Sequence, residues 1–254
     1  MTSPFLSPLR ARALIASCLA ALAVSACATS PEAREANDPF EPLNREIYDF
    51  NIAADRAVLK PASQGYRAVT NQPVRDGVRN FFTNLNQPVV FANLVLQGRF
   101  EESLETVGRF SVNTVFGLGG VFDVATMEEV PRHETDFGLT MARWGVGEGP
   151  YIMLPFLGPS NPRDGIGRIA DRYPYPMNWN SDFSSSVEAW SLRGLNAVEF
   201  RDRHGDAFES FERSAIDPYV QVRSAYRQAR RAGLRRMELN NGEDEDFENL
   251  PDFD

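Results

Sequence analysis

RFSVNTVFGLGGVFDVATMEEVPRHETDFGLTMARWGVGEGPYIMLPFLGPSNPRDG, residues 109–165, sets Gly and Pro among Phe, Leu, Val, Trp and Tyr and has few charges. Ordinary loops are polar, because their backbone must stay solvated and exposed apolar side chains cost free energy. An apolar, irregular segment of this length fits two settings. It packs against helices as a long core loop, or it lines a cavity or meets a membrane. Composition alone leaves both open.

Helices flank it on both sides. Leu43, Ile47, Phe50, Ala54 and Val58 recur at helical spacing up to a stop expected at Pro61. Pro73 suits the first turn of a second helix with Val74, Val78, Phe81, Phe82 and Leu85. Pro88 is expected to open a third, closed at Gly98 and apolar nearly all round, as a helix in a core or against lipid must be. A fourth, from about Phe100 to Thr114, puts Leu104, Val107, Phe110 and Ser111 on one side, with Glu101, Glu102 and Glu105 near its start, where the dipole favours them.

Beyond the apolar stretch, residues 164–173 read as a helix and residues 182–212 as helical pieces broken near Gly205. Asp217-Pro218 supplies an N-cap and a first-turn Pro, and Tyr219, Val222, Tyr226 and Ala229 share one face. Arg223, Arg227, Arg230 and Arg231 fill the other faces, directed either to solvent or to anionic lipid head groups. The best strand candidate is Tyr151-Ile-Met-Leu, so the fold class is mostly α, in effect all-α.

The amino terminus reads as an address. Arg10 and Arg12 precede an uncharged run over residues 13–26, the pattern of a secretory signal and too short to span a bilayer. It ends in Val24-Ser25-Ala26-Cys27, which resembles the bacterial lipobox, where the Cys is acylated and the peptide is cut before it. Cys18 ends a similar short pattern but leaves only residues 13–17 as apolar core, so Cys27 is the expected lipid attachment site. Ala28 in place of Asp implies, by resemblance to such lipoproteins, sorting to the outer membrane. With Cys18 removed and Cys27 acylated no thiol remains, which excludes disulfides, thiolate catalysis and Cys-based metal sites.

The expected organisation is a signal over residues 1–26, an acylated N-terminus and linker over 27–36, a helical domain over 37–237 and a disordered acidic tail over 238–254. The tail holds eight acidic groups and no basic one. Loss of the signal leaves 24 basic and 35 acidic groups, and the body without its tail is close to neutral, so nucleic acid is not an expected partner. Lys60 is the only Lys.

Catalytic constellations do not assemble. His133 and His204 lie outside any metal-ligand spacing and read as exposed loop residues. There is no G-x-S-x-G. Asp136-Phe137-Gly138 lacks the other kinase motifs, and Gly117-Leu118-Gly119-Gly120 is not GxGxxG. Paired acids such as Asp164 and Asp171 are unremarkable in a chain with 35 carboxylates. The expectation is no enzyme, no cofactor and no metal.

The run Asn37-Asp-Pro-Phe-Glu-Pro-Leu-Asn-Arg-Glu-Ile-Tyr-Asp-Phe-Asn51 resembles the opening motif of the MlaA (VacJ) lipoprotein family. The similarity continues through Asn80-Phe-Phe-Thr-Asn-Leu85, Asn93-Leu-Val-Leu-Gln-Gly98, residues 109–123, Asp136-Phe-Gly138, Gly145-Val-Gly-Glu-Gly-Pro-Tyr151, Leu154-Pro155, Gly158-Pro159, Arg163-Asp164 and Asp217-Pro-Tyr219. Trp144 departs from a more usual Tyr, and the acidic tail has no obvious counterpart. The resemblance implies a ring of helices in the periplasmic leaflet of the outer membrane around a phospholipid channel. It also implies association with a trimeric porin and delivery of mislocalised phospholipid to a soluble periplasmic carrier, preserving membrane asymmetry. Asn44, Phe50, Asn51, Asn80, Phe81, Gly149, Pro150, Tyr151, Arg163 and Asp164 then count as structural motif residues, with Phe50 and Ile47 packing the first helix against the ring. Asn113, Phe116, Gly117, Leu118, Gly119, Gly120, Phe122 and Asp123 are the channel and loop candidates, a Gly-hinged gate or a fixed turn. A passive lipoprotein tethering porins or envelope layers, or a hydrolase acting on lipid or peptidoglycan, stays open as an alternative.

Overall fold

A computed structural model describes residues 31–239; the expected signal, Cys27 and the expected tail beyond Leu239 lie outside the described residues. Helix α1 (Pro31–Glu35) leads into α2 (Glu41–Ala54), a π-helical turn (Asp55–Leu59) and α3 (Lys60–Val69). Next come α4 (Gln72–Leu96), α5 (Phe100–Val115), α6 (Val124–Met127) and α7 (Phe137–Arg143). Strands β1 (Ile152–Leu154) and β2 (Gly158–Ser160) form an antiparallel hairpin with Met153 opposite Pro159. Helix α8 (Pro162–Ala170), a 3₁₀ turn (Pro176–Asn178), α9 (Ser181–Ser184), α10 (Val187–Ser214) and α11 (Pro218–Leu239) complete an all-α fold.

Asx caps start helices where irregular chain ends. The side chains of Asn71, Asp123, Asp136 and Asn161 each accept the N–H three residues on, satisfying a donor the helix cannot. Asp217 does the same for Val220 N–H at 3.2 Å. Asp136-Phe137-Gly138 is thus a helix start.

Two prolines do not act as expected. The helix expected to stop at Pro61 runs on, because the π turn shifts its bonding and carries the Lys60 N–H to the Asp55 carbonyl. Pro61 then falls in the first turn of α3, where a missing N–H costs little. Pro88 opens no helix and sits inside α4. An interior Pro costs about 3 kcal/mol, and burial of Phe82, Val89, Val90 and Leu94 around it offsets that cost. Helix α10 likewise passes Gly205 unbroken. That glycine provides space: a Cβ there would lie 2.4 Å from Arg201 Nη1, and the Arg201 guanidinium pairs with Asp55 at 2.7 Å.

The elements close a circuit. Helix α2 and the π turn lead to α3, α3 packs on α10, α10 on α4, α4 on α7, and α7 on α11; α11 meets β2, and β1 returns to α2. The hydrophobic cluster at the closure is small, comprising Tyr151, Met153 and Tyr219 with Ile47, Tyr48, Val222 and Tyr226 against it. Tyrosine rings meet edge to face there, Tyr48 and Tyr151 lying 5.9 and 6.2 Å from Tyr219. Ile47 packs as expected, but Phe50 does not join this core: it is 48% exposed and touches only the edge of Phe156 at 5.1 Å among aromatic partners. Phe50→Ala should therefore cost about 1 kcal/mol, the value of one aromatic pair, against the 3–5 kcal/mol of a core Phe. A chemical melt of the two proteins checks this, and a loss in the core range would return Phe50 to the core.

Candidate functional site

The motif residues are polar pins. Asn44, buried in α2, donates to Asp38 Oδ1 at 2.7 Å and to the Tyr151 carbonyl at 3.2 Å, and accepts the Met153 N–H at 2.8 Å. Asn51, two turns on, repeats the move by donating to the Leu154 carbonyl at 3.0 Å and accepting the Phe156 N–H at 2.7 Å. Two amide side chains thereby take the place of a third strand along β1, whose edge would otherwise be unpaired. Asn37 extends the seam through its carbonyl to Tyr151 N–H and its Nδ2 to the Gly149 carbonyl, with Gly149 in the left-handed region ahead of Pro150.

The basic face of α11 points inward. Arg223 Nη1 donates to the fully buried Asp38 at 2.6 Å, Arg227 reaches Glu148 at 3.2 Å, and Arg230 bridges Asp136 and Asp164. Three of the four arginines expected to face solvent or lipid are internal clamps; Arg231 alone is exposed. Asp164 also accepts from Asn161 at 3.0 Å and from the Tyr226 hydroxyl, and Arg163 Nη1 donates to the Val146 carbonyl at 3.2 Å. These contacts push the Tyr219 and Tyr226 hydroxyls well up, first through burial and then through the carboxylates they donate to.

The same device fixes the Gly-rich segment. Arg109, 3% exposed, donates to both oxygens of Asp123 at 2.8 and 3.0 Å, while Asn113 donates to Asp123 at 3.0 Å and accepts Ala125 N–H at 2.8 Å. Asn80 and Asn84 hold the Val121 and Gly119 carbonyls. A Cβ at Gly117 would stand 2.2 Å from the Phe122 carbonyl oxygen, and one at Gly120 2.3 Å from Asn84 Cβ. Burial alone would raise the Asp123 and Asp136 carboxyls, but hydrogen bonds and the charges of Arg109 and Arg230 outweigh it and hold both below the usual range. A carboxyl depressed in the folded state contributes stability above its unfolded pKa, about 3.9, and loses it as the pH falls through the folded value. Asp136→Asn should therefore melt lower than wild type at neutral pH and show a flatter loss of melting temperature below about pH 4. An equally steep acid limb in both proteins would remove Asp136 from the account.

Burial is inverted relative to a water-soluble domain. Among the described residues 20 buried side chains are polar or charged and 14 hydrophobic, whereas 31 large hydrophobics are exposed. Helix α5 shows it plainly: Ser103, Thr106, Arg109 and Asn113 are buried, and Leu104, on the apolar side read from the sequence, is 72% exposed. Phe91, Val95 and Leu96 of α4 continue that outer face, while Gln87, Asn93 and Gln97 turn in. Val115, Phe116, Leu118, Val121 and Phe122 all project outward, Phe116 and Leu118 each 72% exposed. Apolar side chains exposed in this number mark a surface that meets something other than water.

A cavity of about 650 Å³ lies between α4, α10, α11 and residues 132–139. Arg79, Gln87, Arg132, Glu199, Arg203 and Arg236 give its wall a charged, mixed character. His133 is here too, mostly buried, with Nδ1 2.9 Å from Glu102 and Nε2 2.6 Å from Glu105; it is a clamp on α5, correcting the exposed-loop expectation. His204 lies on the cavity wall, its ring 4.3 Å from that of Phe200. None of the eight channel and loop candidates lines this cavity: Asn113 and Asp123 fasten the loop, its glycines make the turn, and Phe116, Leu118 and Phe122 face out. The wall residues Gln87 and Glu199 were not singled out by sequence; the signal was polar residues at helical spacing opposite an apolar stripe, Arg79, Thr83 and Gln87 on α4. Among the described residues no helix is long and apolar enough to cross a membrane.

Fold and site define an inside-out helical protein, apolar without and polar within. Residues 36–233 match the model of the MlaA lipoprotein family, and the chain belongs to that family. It is 35% identical over 209 residues to the intermembrane phospholipid transport system lipoprotein MlaA of Escherichia coli K12, covering 81% of each chain. Its identity to the MlaA of Haemophilus influenzae is 33% over 230 residues, 87% of this chain and 89% of that one. An uncharacterized protein of Rickettsia bellii is 36% identical over 206 residues, 79% of this chain and 78% of its own. Among solved structures, a chain from "Structural basis for maintenance of bacterial outer membrane lipid asymmetry" matches at TM-score 0.67 and 34% identity, covering 78% of this chain and 98% of that one.

Proposed function

We propose that this protein is an outer-membrane lipoprotein that draws mislocalised phospholipid from the outer leaflet through its polar interior and passes it to a soluble periplasmic carrier. It is anchored by acylated Cys27 at the periplasmic face and sits beside a trimeric porin. It breaks no bond in the lipid, so it is not an enzyme. The observation that carries this reading is the inverted burial. Drawing a two-chain lipid with about 30 methylenes fully into water costs on the order of 20 kcal/mol at roughly 0.8 kcal/mol per CH₂. A transporter must therefore leave the tails in lipid and offer the head group a wet path. An apolar outer surface around a polar cavity meets both demands. The phospholipid transport role of the family members in Escherichia coli and Haemophilus influenzae supports it.

The test is outer-leaflet phospholipid in wild-type cells, in a deletion strain and in that strain complemented. The deletion should raise it and the wild-type gene restore it; an unchanged level would favour the passive tether. Cys27→Ser should abolish acylation and leave uncleaved precursor at the inner membrane. Labelled palmitate still entering that variant would place the anchor elsewhere.

A further inference from the structure

The cavity wall holds a buried acceptor with no partner. Gln87 is 4% exposed; its Nε2 donates to the Thr83 carbonyl at 3.2 Å, which fixes the amide and leaves Oε1 without a hydrogen bond. A buried acceptor left unsatisfied costs about 1–3 kcal/mol unless a ligand supplies a donor. Glu199, also on this wall and 4% exposed, is a second under-used acceptor. Its one ion pair among the described residues is a 3.3 Å contact from Arg203 one turn on. Burial pushes its carboxyl up, against the opposing charges of Arg203 and Arg79. The two arginines have donors to spare: Arg79 Nη2 pairs with Asp76 at 2.9 Å and Arg203 with Glu199, each using part of a five-donor guanidinium. Arg79, Thr83 and Gln87 stand one turn apart on α4, so this line of wall is about 12 Å long, and it faces Glu199 and Arg203 on the packed helix α10.

We propose that this part of the cavity is a head-group site for a phosphodiester bearing a primary ammonium, as in phosphatidylethanolamine. Arg79 and Arg203 take the phosphate, and Glu199 with Gln87 Oε1 takes the ammonium. The assignment rests on the transport reading above. A primary ammonium brings three N–H donors and a positive charge, so it satisfies Gln87 and neutralises Glu199 together. A glycerol head group brings donors without charge and leaves Glu199 desolvated and poorly paired. A quaternary ammonium brings charge without an N–H donor.

The experiment offers the acylated full-length protein vesicles of equimolar phosphatidylethanolamine and phosphatidylglycerol, then measures the lipids it retains after purification by mass spectrometry. Wild type should retain phosphatidylethanolamine over phosphatidylglycerol about tenfold, the ratio set by one charge-assisted hydrogen bond of modest strength. Glu199→Gln, which keeps the shape and removes the charge, should bring the ratio close to one by lowering the phosphatidylethanolamine retained. Gln87→Leu should lower it by a smaller factor. Equal retention of both lipids by wild type, or a preference that survives Glu199→Gln, overturns the head-group site and leaves the transport reading standing. Retention of neither lipid overturns the transport reading itself. Glycerophosphoethanolamine, the same head group without tails, should bind far more weakly than the lipid; equal binding would make this a site for a soluble phosphodiester and overturn the lipid assignment.

Discussion

Asp38→Ala should destabilise the protein by about 3–5 kcal/mol, the cost of stripping one partner from a buried ion pair. Asp38 is fully buried, and one carboxylate holds three donors from separate parts of the chain: Asn44 on α2, and the Tyr219 hydroxyl and Arg223 on α11. Without it, Arg223 is left as an uncompensated charge at 5% exposure, and Asn44 loses the contact that orients it toward β1. Domains of this size have about 5–15 kcal/mol in hand, so most of the margin disappears. The measurement is a denaturant melt of the detergent-solubilised protein together with the folded amount recovered from cells. The double variant Asp38→Leu with Arg223→Met separates a charge effect from a packing effect. It removes both charges, and it should regain a large part of the loss, as buried pairs replaced by apolar side chains do. If the double variant is no more stable than the single one, the cost lies in the hydrogen bonds to Asn44 and Tyr219.

Such clamps explain which features were legible in the sequence. Helix starts were, because a cap and a first-turn Pro act over three or four residues: Pro73 and Asp217-Pro218 stand as expected. Pro61 and Pro88 were not, since what carries a helix past a proline is a π turn in one case and packing from distant residues in the other. The arginines of α11 were misassigned for the same reason. Their carboxylate partners, Asp38, Asp136, Glu148 and Asp164, lie some 60 to 190 residues away, and no local pattern shows which acid a base will meet. Of the residues singled out in the sequence, Asn44, Asn51, Arg163 and Asp164 of the motif runs and the loop candidates Asn113 and Asp123 make hydrogen bonds between distant segments, yet the cavity wall was found only when α4, α10 and α11 were brought together. Periodicity identified the apolar stripe on α5. It could not say what that stripe faces.

That last gap leads to the sharpest test of the inverted architecture. Leu104→Asp places a carboxylate on the outer face of α5 at a site 72% exposed and next to the exposed Phe100 and Val107. If that face met water, the substitution would be nearly neutral, within about 0.5 kcal/mol as for most surface changes. If it meets acyl chains, a charge there costs about 2.5–3.5 kcal/mol. The expected result is a protein that melts like wild type in detergent solution, where micelle and water can rearrange around the charge. In cells it should fail to keep phospholipid out of the outer leaflet, approaching the deletion strain, at an unchanged level of acylated protein. Phe116→Asp, on the outward loop after α5, should behave the same way, because Phe116 is as exposed as Leu104. Normal asymmetry in cells holding either variant at wild-type level would mean that this face is covered by water or by another protein. The helices would then have to be oriented some other way relative to the membrane.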